Sequence, residues 1–166
     1  MPRSYNIVLN SLFCTAGSSA NLPTDKSYFV DWSAFLPPGE YELTFSFISE
    51  GNQLTSLPTL PLVYIDLLSQ AEIHQPQSGF QAISSNFLGA LYPVTLHNAT
   101  NGIYFRAENS SNNPIFMYNR PYQTEFRVQI LNNNNPPTAY LDQNVTPQSI
   151  GDYILNLNFK LLKEAK

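Results

Sequence analysis

Glu40-Tyr41-Glu42-Leu43-Thr44-Phe45-Ser46-Phe47 alternates polar and apolar side chains without a break. A β-strand turns successive side chains to opposite faces, so Tyr41, Leu43, Phe45 and Phe47 share one face and predict a half-buried strand. The period of two returns near the C-terminus, where Tyr153, Leu155, Leu157, Phe159 and Leu161 alternate with Asn156, Asn158 and Lys160. Phe126, Val128 and Ile130 alternate with Glu125, Arg127 and Gln129, and Tyr5, Ile7 and Leu9 alternate with Asn6 and Asn10.

Four weaker segments extend the pattern. Lys26 to Trp32 is aromatic and β-rich, and Gly102 to Glu108 reads as a strand. Leu62 to Leu68 is almost wholly apolar, which predicts burial on both faces or a helical turn at its end. Phe80 to Leu91 holds Ser84, Ser85 and Gly89 and predicts a strand with a bulge. Together these give about eight strands, bounded by Pro, Gly, Asn and Ser clusters. Thirteen prolines leave little room for long helices. Short helical turns are expected at Asp31–Phe35, before Pro37-Pro38-Gly39, and at Gln143–Ile150. The run Asn132-Asn133-Asn134-Asn135-Pro136-Pro137 reads as a solvated loop.

The expected fold is all-β, an eight-stranded two-sheet jelly-roll sandwich. Tight Asn-Gly hairpins are nearly missing, Asn101-Gly102 excepted, and long connections suit crossovers between two sheets. An immunoglobulin-like sandwich is the alternative, but the cysteine pair that flanks a buried Trp in such domains is missing, because Cys14 is the sole cysteine. A chain of 166 residues fits one domain, 1–166, with a short polar tail from about residue 162.

Composition narrows the functions. Charged residues make up 12% of the chain, about half the usual share of ~25%. Eight Lys+Arg against twelve Asp+Glu leave a net charge of -4, which argues against a nucleic-acid binder that must neutralise phosphates. Low charge with 13% aromatic residues argues against global disorder and predicts an uncharged surface meant to be covered. No apolar stretch approaches the ~20 residues of a membrane span; the longest tempting run, Leu57 to Leu68, is broken by Pro58, Pro61 and Asp66. Residues 1–13 form no continuous signal-like apolar region, and with one cysteine the expectation is synthesis in a reducing compartment. The sequons at Asn98, Asn109 and Asn144 are then expected to be chance matches among eighteen asparagines.

Catalytic chemistry finds no support. His74 and His97 are the only histidines, and neither has a Cys or a second His beside it. A metal site needs three or four suitable ligands, so the Glu72–His74 pair falls short, and the H-x-H…E…H set of cupin enzymes is missing. Cys14, between Phe13 and Thr15, reads as a small buried hydrophobe and not as a thiolate. No G-x-S-x-G elbow and no glycine-rich phosphate loop occur. Glu40 and Glu42 share a strand face, which reads as a solvated face before it reads as a glycosidase pair. No catalytic, cofactor or metal residue is assigned. Of the aromatic residues, Trp32 reads as a core anchor. Tyr118, Tyr122 and Tyr140 stand in loop-like contexts and are the candidates for surface contacts, whether with proteins or with a sugar face.

The order of these segments resembles a known family. SYNIVLNS, then VDWSAFLPPGEYELTFSFIS, NFLGAL, NRPYQTEFRVQIL and finally DYILNLNFKLL resembles the small single jelly-roll capsid proteins of large icosahedral double-stranded DNA viruses. The resemblance covers roughly residues 4–161. It implies a minor capsid component or penton that acts beside a double jelly-roll major capsid protein. It carries no active-site signature.

The resulting expectation is a non-enzymatic virion structural protein, a homo-oligomer that also packs with other capsid proteins. It is expected to assemble in the host cytoplasm, without cofactor, membrane span or direct nucleic-acid contact. Charged groups are costly to desolvate and are depleted at interface centres, whereas neutral amides can hydrogen-bond across a contact. The loops Asn109–Tyr122 and Asn132–Asp142 are the expected interface elements. The alternative is a carbohydrate-binding or receptor-binding β-sandwich module.

Overall fold

The alternating segments pair into two antiparallel sheets packed face to face. The computed structural model describes residues 3–15, 25–51, 62–67, 87–90, 92–95, 103–109, 112, 114–131 and 150–165. Ten strands lie among these residues: β1 (Ser4–Asn10), β2 (Asp25–Phe29), β3 (Gly39–Gly51), β4 (Leu62–Ile65), β5 (Phe87–Ala90), β6 (Tyr92–Thr95), β7 (Ile103–Glu108), β8 (Ile115–Met117), β9 (Glu125–Leu131) and β10 (Ile150–Glu164). A 3-10 turn follows β1 at Ser11–Phe13, and a one-turn helix, α1, occupies Trp32–Phe35.

The first sheet runs β1-β10-β3-β7-β6, with β8 also on β3, and the second runs β2-β9-β4-β5. The pairs nest in sequence: β4 with β5, β3 with β7 and β8, β2 with β9, and β1 with β10. Successive nested pairs fall alternately in the second and the first sheet. Long strands hold the first sheet together. β10 lies along β3 from Glu164↔Gly39 to Ile150↔Gly51. The opposite edge of β3 is shared by β8 at Tyr41–Leu43 and β7 at Ser46–Glu50. Asn109 fills the gap between them. Its Oδ1 accepts from the Phe45 amide at 2.6 Å, its Nδ2 donates to the Leu43 carbonyl at 3.3 Å, and its own amide donates to the Phe45 carbonyl at 3.2 Å.

Both sheets turn their apolar positions inward. Leu43, Phe45 and Phe47 of β3 and Leu155, Leu157 and Phe159 of β10 meet Phe126, Val128 and Ile130 of β9 and Val63 and Ile65 of β4 in one buried cluster. Trp32 is wedged between the sheets, its ring centroid 5.6 Å from Phe126 on one side and 5.6 Å from Phe159 on the other. Tyr28 of β2 and Tyr153 of β10 share a buried hydroxyl–hydroxyl hydrogen bond of 3.0 Å across the interior. Removal of this apolar surface from water is the main force joining the layers.

Several details depart from the sequence reading. β2 stops at Phe29, because Asp31 then caps α1 by accepting from the Ser33 amide at 3.1 Å. All four residues of β4 are buried, so this strand has no polar face to alternate. The expected bulge falls in β5, where Val63 pairs Gly89 but Tyr64 pairs Phe87. β6 and β8 were not expected; β8 lies inside the segment read as the loop Asn109–Tyr122. The polar tail expected from about residue 162 is corrected to strand as far as Glu164, because Lys163 and Glu164 pair with Glu40 and Gly39. Gly39 permits that approach: a Cβ there would collide with the Lys163 carbonyl oxygen and lie 2.8 Å from Leu161 Cδ1. The turn expected at Gln143–Ile150, apart from Ile150 itself, and the Asn132–Pro137 run lie outside the described residues, as does the whole of the loop Asn132–Asp142.

Candidate functional site

Among the described residues, five of the six exposed aromatic side chains gather toward one end of the sandwich; the sixth, Phe13, stands apart in the 3-10 turn after β1. At that end β2 stops, α1 turns the chain, β3 begins, and the segment between β8 and β9 crosses over. That segment is pinned by three hydrogen bonds. Arg120 Nη1 donates to the Leu36 carbonyl at 2.7 Å, Trp32 Nε1 to the Gln123 carbonyl at 2.9 Å, and the Val30 amide to the Thr124 carbonyl at 2.9 Å. Pro121 is buried beneath it.

On this fixed base Tyr122 is 79% exposed and Tyr118 is 71% exposed. Phe116, the middle residue of β8 and opposite Glu42, meets the Tyr118 ring edge to face at 4.9 Å between centroids. Phe29 and Phe35 are exposed on the neighbouring β2–α1 segment. Five aromatic rings thus stand in solvent on elements tied to the core. Asp31 and Arg120 add opposite charges. The hydrogen bond from Ser33 holds the Asp31 carboxyl below the usual carboxylate range, with a smaller contribution from Arg120.

Of the residues singled out from sequence, Tyr118 and Tyr122 are brought together here, whereas Tyr140 lies outside the described residues. Trp32 is 1% exposed and serves the core. Phe29, Phe35 and Phe116 were missed. Parity could have found two of them: with Tyr28 inward, Phe29 must point outward, and with Ile115 and Met117 inward, so must Phe116.

Elsewhere among the described residues, five ion pairs join opposite charges. Lys160 pairs with Glu42 at 2.7 Å, Lys163 with Glu40 at 3.7 Å, and Arg127 with Asp25 at 2.5 Å. Arg106 pairs with Glu108 at 2.8 Å and Arg3 with Glu164 at 3.2 Å. Glu40 and Glu42 are therefore held by lysines of β10. On the outer face of the first sheet, Asn158 donates to Asn6 at 2.6 Å, and Ile48 and Ile154 stand opposite one another. Isolated surface ion pairs contribute at most about 1 kcal/mol each, so their main effect is to cancel charge.

Cys14 is half-buried against the core. Ser11, also buried, donates to Asp152 Oδ1 at 2.9 Å and accepts from the Tyr153 amide at 2.9 Å, which pins the 3-10 turn to β10. His74, His97 and Glu72 lie outside the described residues. Among the described residues no group of three His, Cys, Asp or Glu could hold a metal ion, and no helix is long and apolar enough to cross a membrane. Asn109, one of the three sequons, has its side-chain amide engaged with β3, so a glycan on it would break that contact. No family model, curated protein or solved structure matches the chain.

Proposed function

We propose that the chain is a single jelly roll serving as a non-enzymatic structural subunit of an icosahedral virion, a minor capsid component or penton. It packs with copies of itself and with other capsid proteins, a major capsid protein among them, after synthesis in the host cytoplasm. The observation that carries this reading is the nested pairing of strands, alternating between β1-β10-β3-β7 and β2-β9-β4-β5. A long hairpin wrapped around a core gives that order, and it is the order expected of a jelly roll built from two Greek keys. The low share of charged residues, 12%, and the aromatic end face suit a protein whose surroundings are other proteins, since interfaces favour aromatic side chains and disfavour charge at their centres.

Light scattering over a concentration series, with electron microscopy of the same samples, tests the reading. Rings or closed shells are expected, and the double variant Tyr118→Ser/Tyr122→Ser should dismantle them. A protein that never exceeds a dimer, and joins no larger particle when mixed with capsid proteins, would refute it. The second reading, a carbohydrate-binding module, is favoured by the two exposed tyrosines, because flat rings stack on sugar faces. A glycan array showing specific binding that the same double variant abolishes would select it.

A further inference from the structure

The edge strands are not treated alike; β8, on β3, is only three residues long. β2 carries an inward-pointing, buried Lys26 and is bridged on its outer side by Thr15, which pairs with Ser27. β5 is four residues long with an irregular register, and β6 is four residues long and contains Pro93. Inward charge, shortness, bulges and proline are the devices by which sheet edges avoid pairing with another chain. β1 has none of them. Its seven residues, SYNIVLN, include no charge and no proline, and they pair with β10 in unbroken register from Ser4↔Lys160 to Asn10↔Ile154. Among the described residues no strand covers its outer edge.

The parity of the ladder shows what that edge offers. The Leu161 amide donates to the Arg3 carbonyl at 2.8 Å, and antiparallel bonding alternates along the strand. Tyr5, Ile7 and Leu9 therefore bond to β10, while the amides and carbonyls of Ser4, Asn6, Val8 and Asn10 point outward.

We propose that two copies of this chain join through β1, paired antiparallel about a two-fold axis at Ile7. This register brings Ser4 opposite Asn10 and Asn6 opposite Val8; the Asn10 carbonyl already accepts the first bond of the 3-10 turn, which leaves about six backbone hydrogen bonds across the axis. On the inner face Tyr5 meets Leu9 and Ile7 meets its own copy. Tyr5 and Ile7 are only partly buried in one chain, and the second copy extends the core over them. On the outer face the Val8 side chain, 62% exposed, reaches diagonally toward its counterpart. A two-fold interface sets each residue against its own patch, so like charges would repel; a strand with no charge is free of that penalty. The pairing concerns this edge alone and stands or falls independently of the shell reading.

The test uses the full chain. With the shell contacts removed by Tyr118→Ser/Tyr122→Ser, light scattering should give twice the 18.7 kDa chain mass for the dimer. Asn6→Pro removes an outward amide without touching the backbone bonds to β10, at the cost of the side-chain bond from Asn158, and Val8→Lys sets two cations diagonally across the axis; each, added to that background, should halve the mass while leaving the circular dichroism spectrum unchanged. Ile48→Lys, on the same outer face but on β3, should remain a dimer. Mixing an Asn6→Cys chain with a Val8→Cys chain, both also Cys14→Ser, should yield a disulfide-linked heterodimer on mild oxidation, and this readout holds inside any larger assembly. A parent chain that stays monomeric at every concentration, association unaffected by both edge variants, or equal cross-linking of Asn6→Cys with itself would overturn the proposal. Loss of assembly by the tyrosine double variant with the β1 cross-link intact would separate this interface from the shell contacts.

Discussion

The hydroxyl pair of Tyr28 and Tyr153 offers a direct measure of how the two sheets are joined. Both rings are buried, and the oxygens lie 3.0 Å apart across the interior. Tyr28→Phe leaves the Tyr153 hydroxyl without a partner among the described residues, and Tyr153→Phe does the reverse. An orphaned buried hydroxyl costs about 1–3 kcal/mol, whereas removing both members of the pair leaves two rings of unchanged shape. Each single variant should therefore lose about 2 kcal/mol, a drop of roughly 4–8 °C in Tm for a chain of this size. The double variant should lose no more than the worse single one, which gives a coupling of at least about 2 kcal/mol in a double-mutant cycle. Urea unfolding followed by circular dichroism measures all four proteins, and an unchanged denaturant slope would exclude an altered unfolded state. Strictly additive losses, or single variants as stable as the parent, would refute the argument.

Alkaline pH should weaken the same interior. Burial raises the phenols of Tyr28 and Tyr153 above their ordinary value and pushes Tyr41 up to about 12. Raised folded-state values contribute stability that is complete below the unfolded phenol pKa of ~10 and is lost as pH rises through the folded values. Phenolate absorbance should therefore lag and then rise together with loss of the circular dichroism signal, and the Tyr28→Phe/Tyr153→Phe double variant should unfold at higher pH. Gly39→Ala should cost about 1–3 kcal/mol, because the collision is with the β10 backbone and the strand end must move. Gly89→Ala meets only the Phe45 ring, at 3.0 Å, and should cost less; thermal unfolding showing Gly39→Ala as stable as the parent would contradict this account.

Strands with one wet face were legible from sequence, and those without were not. β1, β3, β9 and β10 alternate because one side of each meets the core and the other meets water or polar neighbours. β4 sits between β9 and β5 and is buried on both sides, so its composition carried no period. β8 is too short for a pattern: three residues suffice because β3 supplies the ladder. The end face was half legible. Tyr118 and Tyr122 stood out by their loop context, but Phe29 and Phe35 belong to segments whose other aromatic residues, Tyr28 and Trp32, are core. Which aromatic stays outside depends on where Asp31 interrupts the strand, and that depends on a single cap. The nested order of pairing was not legible, since partners are chosen by the whole chain and not by either strand.

That order also sets a timetable. Of the described strands β1 is made before the others, and its partner is β10, so Ser4 must wait for Lys160. At ~5–20 residues per second, synthesis of the intervening chain takes roughly 10–30 s. Closing so long a loop carries its entropic cost before any long-range contact repays it, which makes late stitching of the two ends the slow event in forming the sandwich. During that interval Tyr5, Ile7 and Leu9 have neither sheet nor core, and crowded nascent chains could pair there with one another before they pair with themselves.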